Sequence, residues 1–274
     1  MDMKEKIKEN YLLLTRYIIT NMRMWFQYKL DAVLRSFAVF FREAASIIVI
    51  YFTFQKFNNI NGWNLNEMFF LFSFIFISYG ILILLFTGLR DFEYLIYSGE
   101  FDRFMLRPRG LLFQVIVWDA DYFAAIGHGA LGILLFVTTA NNVGIMWNSN
   151  SILYCIVTVI GGVLIQGAIF LILASISIYF IKTESVKDLF YYNSRSLAQY
   201  PISIYPKLIQ NFLTFVVPFA FVNYFPAQYF LRKQDMSLYW TGYMYLTPVI
   251  GIILFLIAYI FWGKSIKRYS STGN

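Results

Sequence analysis

The side chains able to do chemistry in this chain are few, and their spacing excludes most enzymes. One histidine stands among 274 residues, so neither a Ser-His-Asp triad nor a histidine-based metal set can be assembled, and no paired carboxylates replace them. Gly263-Lys264-Ser265 resembles the end of a phosphate-binding loop. That loop needs glycine where Ala258 stands, and it follows a strand, whereas here an apolar helical run precedes it. Cys155, the one cysteine, sits in an apolar run and supports neither a disulfide nor a zinc site. No catalytic, cofactor-binding or metal-binding residue is assigned.

The ionisable residues that remain lie in or beside apolar segments, where each costs about 2.5–3.5 kcal/mol on insertion scales. Asp121 and His128 are seven apart and share a helix face with Ala125, while Asp119 points elsewhere. Their polar stripe could line a water-filled path, relay protons, or fasten two helices by a buried hydrogen bond. Arg35 and Arg42 are also seven apart. Arg42 and Glu43 are adjacent, hence about 100 degrees apart on a helix, and are not expected to face each other. The favoured reading puts them in the headgroup layer, with the first span starting after them.

The composition dictates the elements that must position these groups. Of the residues, 59% are hydrophobic, 21% aromatic and 14% charged, with mean hydropathy +0.60, against about 45–50% apolar and about 25% charged in soluble domains. Such a chain belongs in a bilayer. At roughly 20 apolar residues per span, six spans fill the length, so an ATP-hydrolysing engine must be another chain. Apolar segments fall at 33–56, 67–89, 112–140, 151–181, 207–226 and 241–262. The fold class is therefore all-α: a polytopic bundle of six transmembrane helices over 31–274, preceded at 1–30 by an amphipathic helix. In that helix Ile7, Tyr11, Leu14, Ile18 and Trp25 form one stripe among six cations, which suits the cytoplasmic face of an anionic lipid bilayer and not a cleavable signal. Gly161, Gly162 and Gly167 give the fourth span a face for close packing.

Seventeen of the 22 Lys and Arg fall on one side, before residue 30, at 90–112, at 182–207 and after 263, whereas Lys56, Arg232 and Lys233 fall opposite. Cations at the ends of apolar segments set topology and give no sign of nucleic-acid binding. Both termini and the loops around Gly99 and Arg195 are expected to be cytoplasmic, and those around Asn61 and Asn142 external. The connection at 90–110 is far longer than a turn needs, and it mixes charges of both signs with Phe92, Leu95, Phe101, Phe104 and Met105. Such a surface suits docking to a partner or resting on lipid.

Here the residues carry a resemblance. Gly62-Trp63 precedes the second span, and Gly99-Glu100-Phe101-Asp102-Arg103-Phe104-Met105-Leu106-Arg107-Pro108 follows it. Tyr200-Pro201, Ile204-Tyr205-Pro206, Pro218-Phe219-Ala220-Phe221, Tyr224, Pro226-Ala227, Trp262 and Arg268-Tyr269-Ser270 continue the match toward Gly273. In these the chain resembles the six-span ABC-2 type transporter permeases, with Phe101 and Met105 standing where leucine is usual. The resemblance implies a multi-pass subunit of an ATP-driven exporter in a bacterial-type cell membrane. It implies a second permease, identical or related, and two separate ATPase subunits that bind ATP and Mg. On that basis the cytoplasmic coupling loop at about 90–112 docks the ATPase through Glu93, Glu100, Phe101, Asp102, Arg103, Arg107 and Pro108, with Phe101 entering an apolar cleft. A fifth span broken by prolines, followed by a short re-entrant helix at 226–233 on the outer side, is also expected. Phe72, Phe76, Phe215 and Phe219 are candidates to line a path for a hydrophobic or amphipathic cargo such as a peptide, lipid or drug-like molecule. The rival readings are a proton-coupled secondary transporter using Asp121 and His128, and a membrane scaffold or immunity protein without transport.

Overall fold

The computed structural model describes residues 3–27, 29–180, 182–233, 235 and 240–271. Among them, helices supply every regular element except one isolated bridge between Ile60 and Trp63. Helix α1 (Met3–Gln27) leads into α2 (Lys29–Lys56), and α3 (Leu65–Arg90) starts from a capping box in which Asn64 and Glu67 satisfy each other's backbone donors. Two short helices, α4 (Phe92–Tyr97) and α5 (Phe101–Met105), form the elbow, after which come α6 (Leu111–Trp118), α7 (Tyr122–Asn142) and α8 (Ser149–Ser177).

Helices α3 and α8 run through the middle, with α7 and α2 layered on one side of α3 and the last helix, α13 (Thr247–Ile266), against α8. Lipid gives no hydrophobic drive between helices, so close backbone approach does the work. A Cβ on Gly161 would lie 2.9 Å from the backbone of Pro248, and one on Gly251 would lie 2.6 Å from the Gly161 carbonyl oxygen. Of the three glycines expected to pack closely on the fourth span, Gly161 meets α13, whereas Gly162 meets Val222 and Ser78 and Gly167 meets Phe86 of α3. Buried Ser73, Ser78, Thr158 and Ser175 donate to carbonyls three or four residues back and need no outside partner.

Five helices are long and apolar enough to cross a membrane, or six if a bent pair counts as one span. The sequence boundaries hold to within a few residues for the first, second and fourth spans and need correction in the others. The third expected span is two helices: residues 119–121 are not helical, and Asp121 accepts a 3.0 Å bond from the Ala124 amide as the cap of α7. In the sixth, residues 241–245 form a separate 3-10 turn before α13.

The largest correction concerns residues 182–231. Helix α9 (Glu184–Lys187), a π-helical stretch (Asp188–Asn193) and α10 (Ser194–Leu197) form one continuous arm. At its start the Thr183 amide and hydroxyl donate to Glu93, and Lys187 donates to the Arg90 carbonyl, at the elbow end of α3. Beyond its far end the Asn61 side chain donates to the Ser203 carbonyl, beside the opposite end of α3. Residues 184–204 thus run the length of the bundle. Arg195, expected in a cytoplasmic loop, is instead buried within it.

The chain then turns back. Helix α11 (Lys207–Asn211) and a π-helical stretch (Phe212–Val216) descend beside the arm, and after a 77° bend the run Phe219–Leu231, which ends in α12 (Tyr224–Leu231), climbs again. Pro218 forces the break because it brings no amide hydrogen. The expected fifth span at 207–226 is therefore a hairpin, and α12 is the short helix expected at 226–233.

Candidate functional site

At the end of the bundle bearing the elbow, α4 and α5 are built as a platform. Phe101 is fully buried, its ring 5.0 Å from both Phe92 and Tyr269, and Phe92 in turn lies 4.9 Å from Trp262. Gly99 makes the turn between the two helices at φ +72°, a backbone position that favours glycine. Gln114 of α6 closes the exit by donating to the carbonyls of Phe104 (3.1 Å) and Arg109 (2.9 Å).

The carboxylates expected to dock a partner are partly taken by this framework. Asp102 accepts from the hydroxyls of Ser271 (2.6 Å) and Tyr269 (2.8 Å), which hold its carboxyl below the usual range, while burial and that carboxylate push the Tyr269 phenol up to about 12. Glu93 accepts from the Thr183 hydroxyl (2.8 Å) and Lys187 (2.7 Å). Phe101 cannot insert into another protein while it serves as the platform's core. Arg103, Arg107 and Pro108 are exposed and Glu100 is half-buried. The apolar groups actually offered are Leu106, 87% exposed, and Met105, with Tyr94 and Tyr97 on α4. The two tyrosines, Glu93, Lys182, Glu184 and Ser185 line an adjoining cleft of about 450 Å³. The C-terminal partners of Phe101 and Asp102 are about 170 residues away in sequence, so spacing within the elbow could not show which side faced outward.

The path candidates separate in the same way. Phe72 and Phe76 are fully buried, edge-to-face with ring centres 4.5 Å apart in a cluster with Ile50, Phe54, Met68 and Leu131, and Phe219 is fully buried 5.4 Å from Tyr191. Of the four, only Phe215 reaches the surface. It stands next to an apolar cleft of about 190 Å³ at the helix break, lined by Ile169, Leu173, Val186, Val216, Pro218 and Leu254 among others.

Asp121 and His128 are both buried, and each bonds to a different element: Asp121 caps α7, and His128 pairs with Glu43 of α2 at 3.1 Å. Arg42 and Glu43 lie within α2, in the stretch Ser36–Lys56 that is long and apolar enough to cross a membrane. The Arg42 side chain is 65% exposed yet reaches Glu43 at 3.2 Å, because a guanidinium on three methylenes spans the angle between neighbouring positions. Glu43 also lies 3.7 Å from Arg195 of the arm. Sequence reasoning names neither Glu43 nor Arg195 as a site residue. The legible signal is the adjacent Arg42 and Glu43 in an apolar stretch and the single charge of Arg195 in a tyrosine-rich one.

At the opposite end, the Gly62-Trp63 pair sits in a tight turn with positive φ at Asn61 and Gly62. Buried Trp63 donates its indole hydrogen to Asp235 at 2.6 Å, and Tyr224, Gln228 and Ser203 donate to the same carboxylate. Lys233 covers the indole and pairs with Glu67 at 2.7 Å. Burial raises the Asp235 carboxyl, but these donors outweigh it and leave it below the usual range.

A family model described as "ABC-2 family transporter protein" matches residues 40–273. No curated protein and no solved structure matches the chain.

Proposed function

The chain belongs to the ABC-2 family of transporter proteins, and from that premise we propose that it is the permease subunit of an ATP-driven exporter. It forms a path with a second permease, identical or related, and two separate ATPase subunits supply the energy by binding ATP and Mg. The elbow platform carries this reading. It presents Leu106 and Met105, flanked by Arg103, Arg107 and Glu100, on a base that follows directly on α3, packs on Trp262 of α13 and bonds to Lys187 of the arm and to Tyr269. A rigid apolar knob with a charged rim is the form of an energetic anchor. Because its base touches three elements of the bundle, force applied there reaches the helix break without passing through a flexible loop.

The elbow end is cytoplasmic in this reading. With residues 184–204 reassigned, 15 of the 22 cations still belong to that end, before residue 30, at 90–112, at Lys182 and Lys187, and after 263. Helix α1 rests on the same lipid face: Asn21 ties it to the Val117 carbonyl, while Leu14 and Ile18 of its stripe remain exposed. Ile7, Tyr11 and Trp25 have side chains outside the described residues. The cargo is hydrophobic or amphipathic, because the cleft beside Phe215 is lined by aliphatic groups.

Reconstitution tests this. With the ATPase subunit and ATP, vesicles should move an amphipathic fluorescent peptide or lipid, and Leu106→Asp should uncouple hydrolysis from movement. Movement that persists without ATP hydrolysis and follows an imposed pH gradient would replace this reading with a proton-coupled one.

A further inference from the structure

The buried pair Glu43–His128 holds a geometry with a definite proton count. His128 Nδ1 lies 2.8 Å from the Ala124 carbonyl oxygen, and Nε2 lies 3.1 Å from Glu43 Oε1. A carbonyl oxygen only accepts, so Nδ1 carries a hydrogen. In a neutral ring Nε2 would then present a lone pair, and an ionised Glu43 would present another. Two acceptors do not sit at hydrogen-bond distance in a dry site, so a second proton lies between them. His128, Glu43 and Arg195 are 2%, 4% and 7% exposed, and no bulk water competes for that bond.

The surrounding groups decide where this proton rests and what its loss does. On α2, Arg42 approaches Glu43 at 3.2 Å, and Arg195 on the arm lies 3.7 Å from the other carboxylate oxygen. Two guanidiniums therefore face the carboxylate, one from α2 and one from the arm. From α3, Tyr79 sets its ring edge-on to His128 at 4.8 Å and its face under the Arg195 guanidinium at 4.0 Å. Tyr191 and Tyr192 stand behind Tyr79 on the arm, and Asp121 on α7 is engaged as the helix cap two turns away. The Arg35 side chain lies outside the described residues. Arg195 itself is incompletely satisfied: among the described residues its Nε and Nη2 have no hydrogen-bond partner.

We propose that Glu43 and His128 form a proton-binding site inside the membrane, and that the bound proton selects which element Glu43 holds. With the proton present, the carboxylate is bonded to the imidazolium and ties α2 to α7. Without it, Nε2 becomes an acceptor, the bond to Glu43 is lost, and the carboxylate turns to the unpaired donors of Arg195, tying α2 to the 184–204 arm. The arm begins at the docking elbow, so the site links the proton to the segment that the partner would move.

The single histidine makes the test direct. The full chain, labelled with ¹⁵N-histidine in lipid vesicles, gives one imidazole spectrum that needs no assignment. At about pH 6 the wild type should show hydrogen on both ring nitrogens. Raising the pH should remove the Nε2 hydrogen and keep the one on Nδ1. Glu43→Gln, which keeps the shape and removes the charge, should give the neutral Nδ1–H ring already at about pH 6. A wild-type ring that is neutral at that pH, or one whose titration is the same in Glu43→Gln, overturns the proposal. Should that variant fail to fold, the wild-type titration alone still decides, since a neutral ring or a hydrogen on Nε2 and none on Nδ1 contradicts the site.

Discussion

Phe101 and Leu106 stand five residues apart on one short element, and their truncation should fail in opposite ways. Phe101 is fully buried between Phe92 and Tyr269, so Phe101→Ala leaves a cavity and should cost about 3–5 kcal/mol of folding stability. Leu106 is 87% exposed, so Leu106→Ala should leave folding unchanged. If a partner covers Leu106, burial of that side chain contributes about 1.5–3 kcal/mol. Alanine keeps part of it, and the loss of about 1–2 kcal/mol weakens association by roughly 5- to 30-fold. Tryptophan fluorescence during thermal unfolding reads the first effect, and titration of the ATPase subunit onto the permease in nanodiscs reads the second. The reasoning fails if Leu106→Ala and Leu106→Asp both bind and stimulate hydrolysis as the wild type does. It fails equally if Phe101→Ala unfolds no earlier.

In a Cys155→Ser background, cysteines at Ser185 and Ser203 should be labelled from opposite sides of the membrane, since 184–204 runs the length of the bundle, and labelling from one side would restore a cytoplasmic loop there. Gly161→Ala should cost about 1–3 kcal/mol by forcing α8 off Pro248, measured as a lower unfolding temperature in detergent, whereas Gly263→Ala, with open space around its Cβ, should be neutral. Asp235→Asn should loosen the turn around Trp63 by about 1–2 kcal/mol, allowing for the water around a partly exposed carboxylate. Its folded carboxyl is held below the ordinary value, so this contribution is present above about pH 4 and is lost as the pH falls through the folded value. Unfolding followed from about pH 7 down to pH 3 should show that loss in the wild type and not in Asp235→Asn.

What could be read from the sequence came from period and composition. The aromatic run after Phe69 and the long apolar run over 151–181 became α3 and α8, because a helix buried on all sides is apolar on all sides. Residues 184–204 escape notice for the opposite reason. Lys187, Asp188, Asn193 and Arg195 make that stretch look soluble, and only partners about 90 to 150 residues away, Glu93, Arg90 and Glu43, tie it into the bundle as an arm. Periodicity reports one element's own faces and carries nothing about such pairings. The break at 119–121 is closer to legible: Asp121 three residues before Ala124 is a helix-start signal inside an apolar run. Hydropathy averages over those three positions and so runs one span straight through them. The Asp121–His128 stripe is sound as spacing, yet the break leaves Asp121 as a cap and frees His128 for a neighbour.

That neighbour explains why charges persist where they are costly. Helix α2 is a peripheral element: of its described side chains only Glu43, Ile50 and Phe54 are buried, while Phe37, Phe41, Val49 and Phe52 face outward. In water such a helix would be held by its apolar face, but lipid tails solvate those phenylalanines as well as protein does. Apolar contact therefore cannot fix the rotation or depth of α2, and a directional bond can. Glu43 supplies it, reaching His128 on α7 and Arg195 on the arm, and its burial cost is offset only while one of them is bonded to it. Removing Glu43 leaves Arg195 as a buried charge without an opposing one, whereas removing Arg195 leaves the α2–α7 bond intact. Loss of the acid should accordingly harm the bundle more than loss of the base, an asymmetry that a purely packed helix pair would not show.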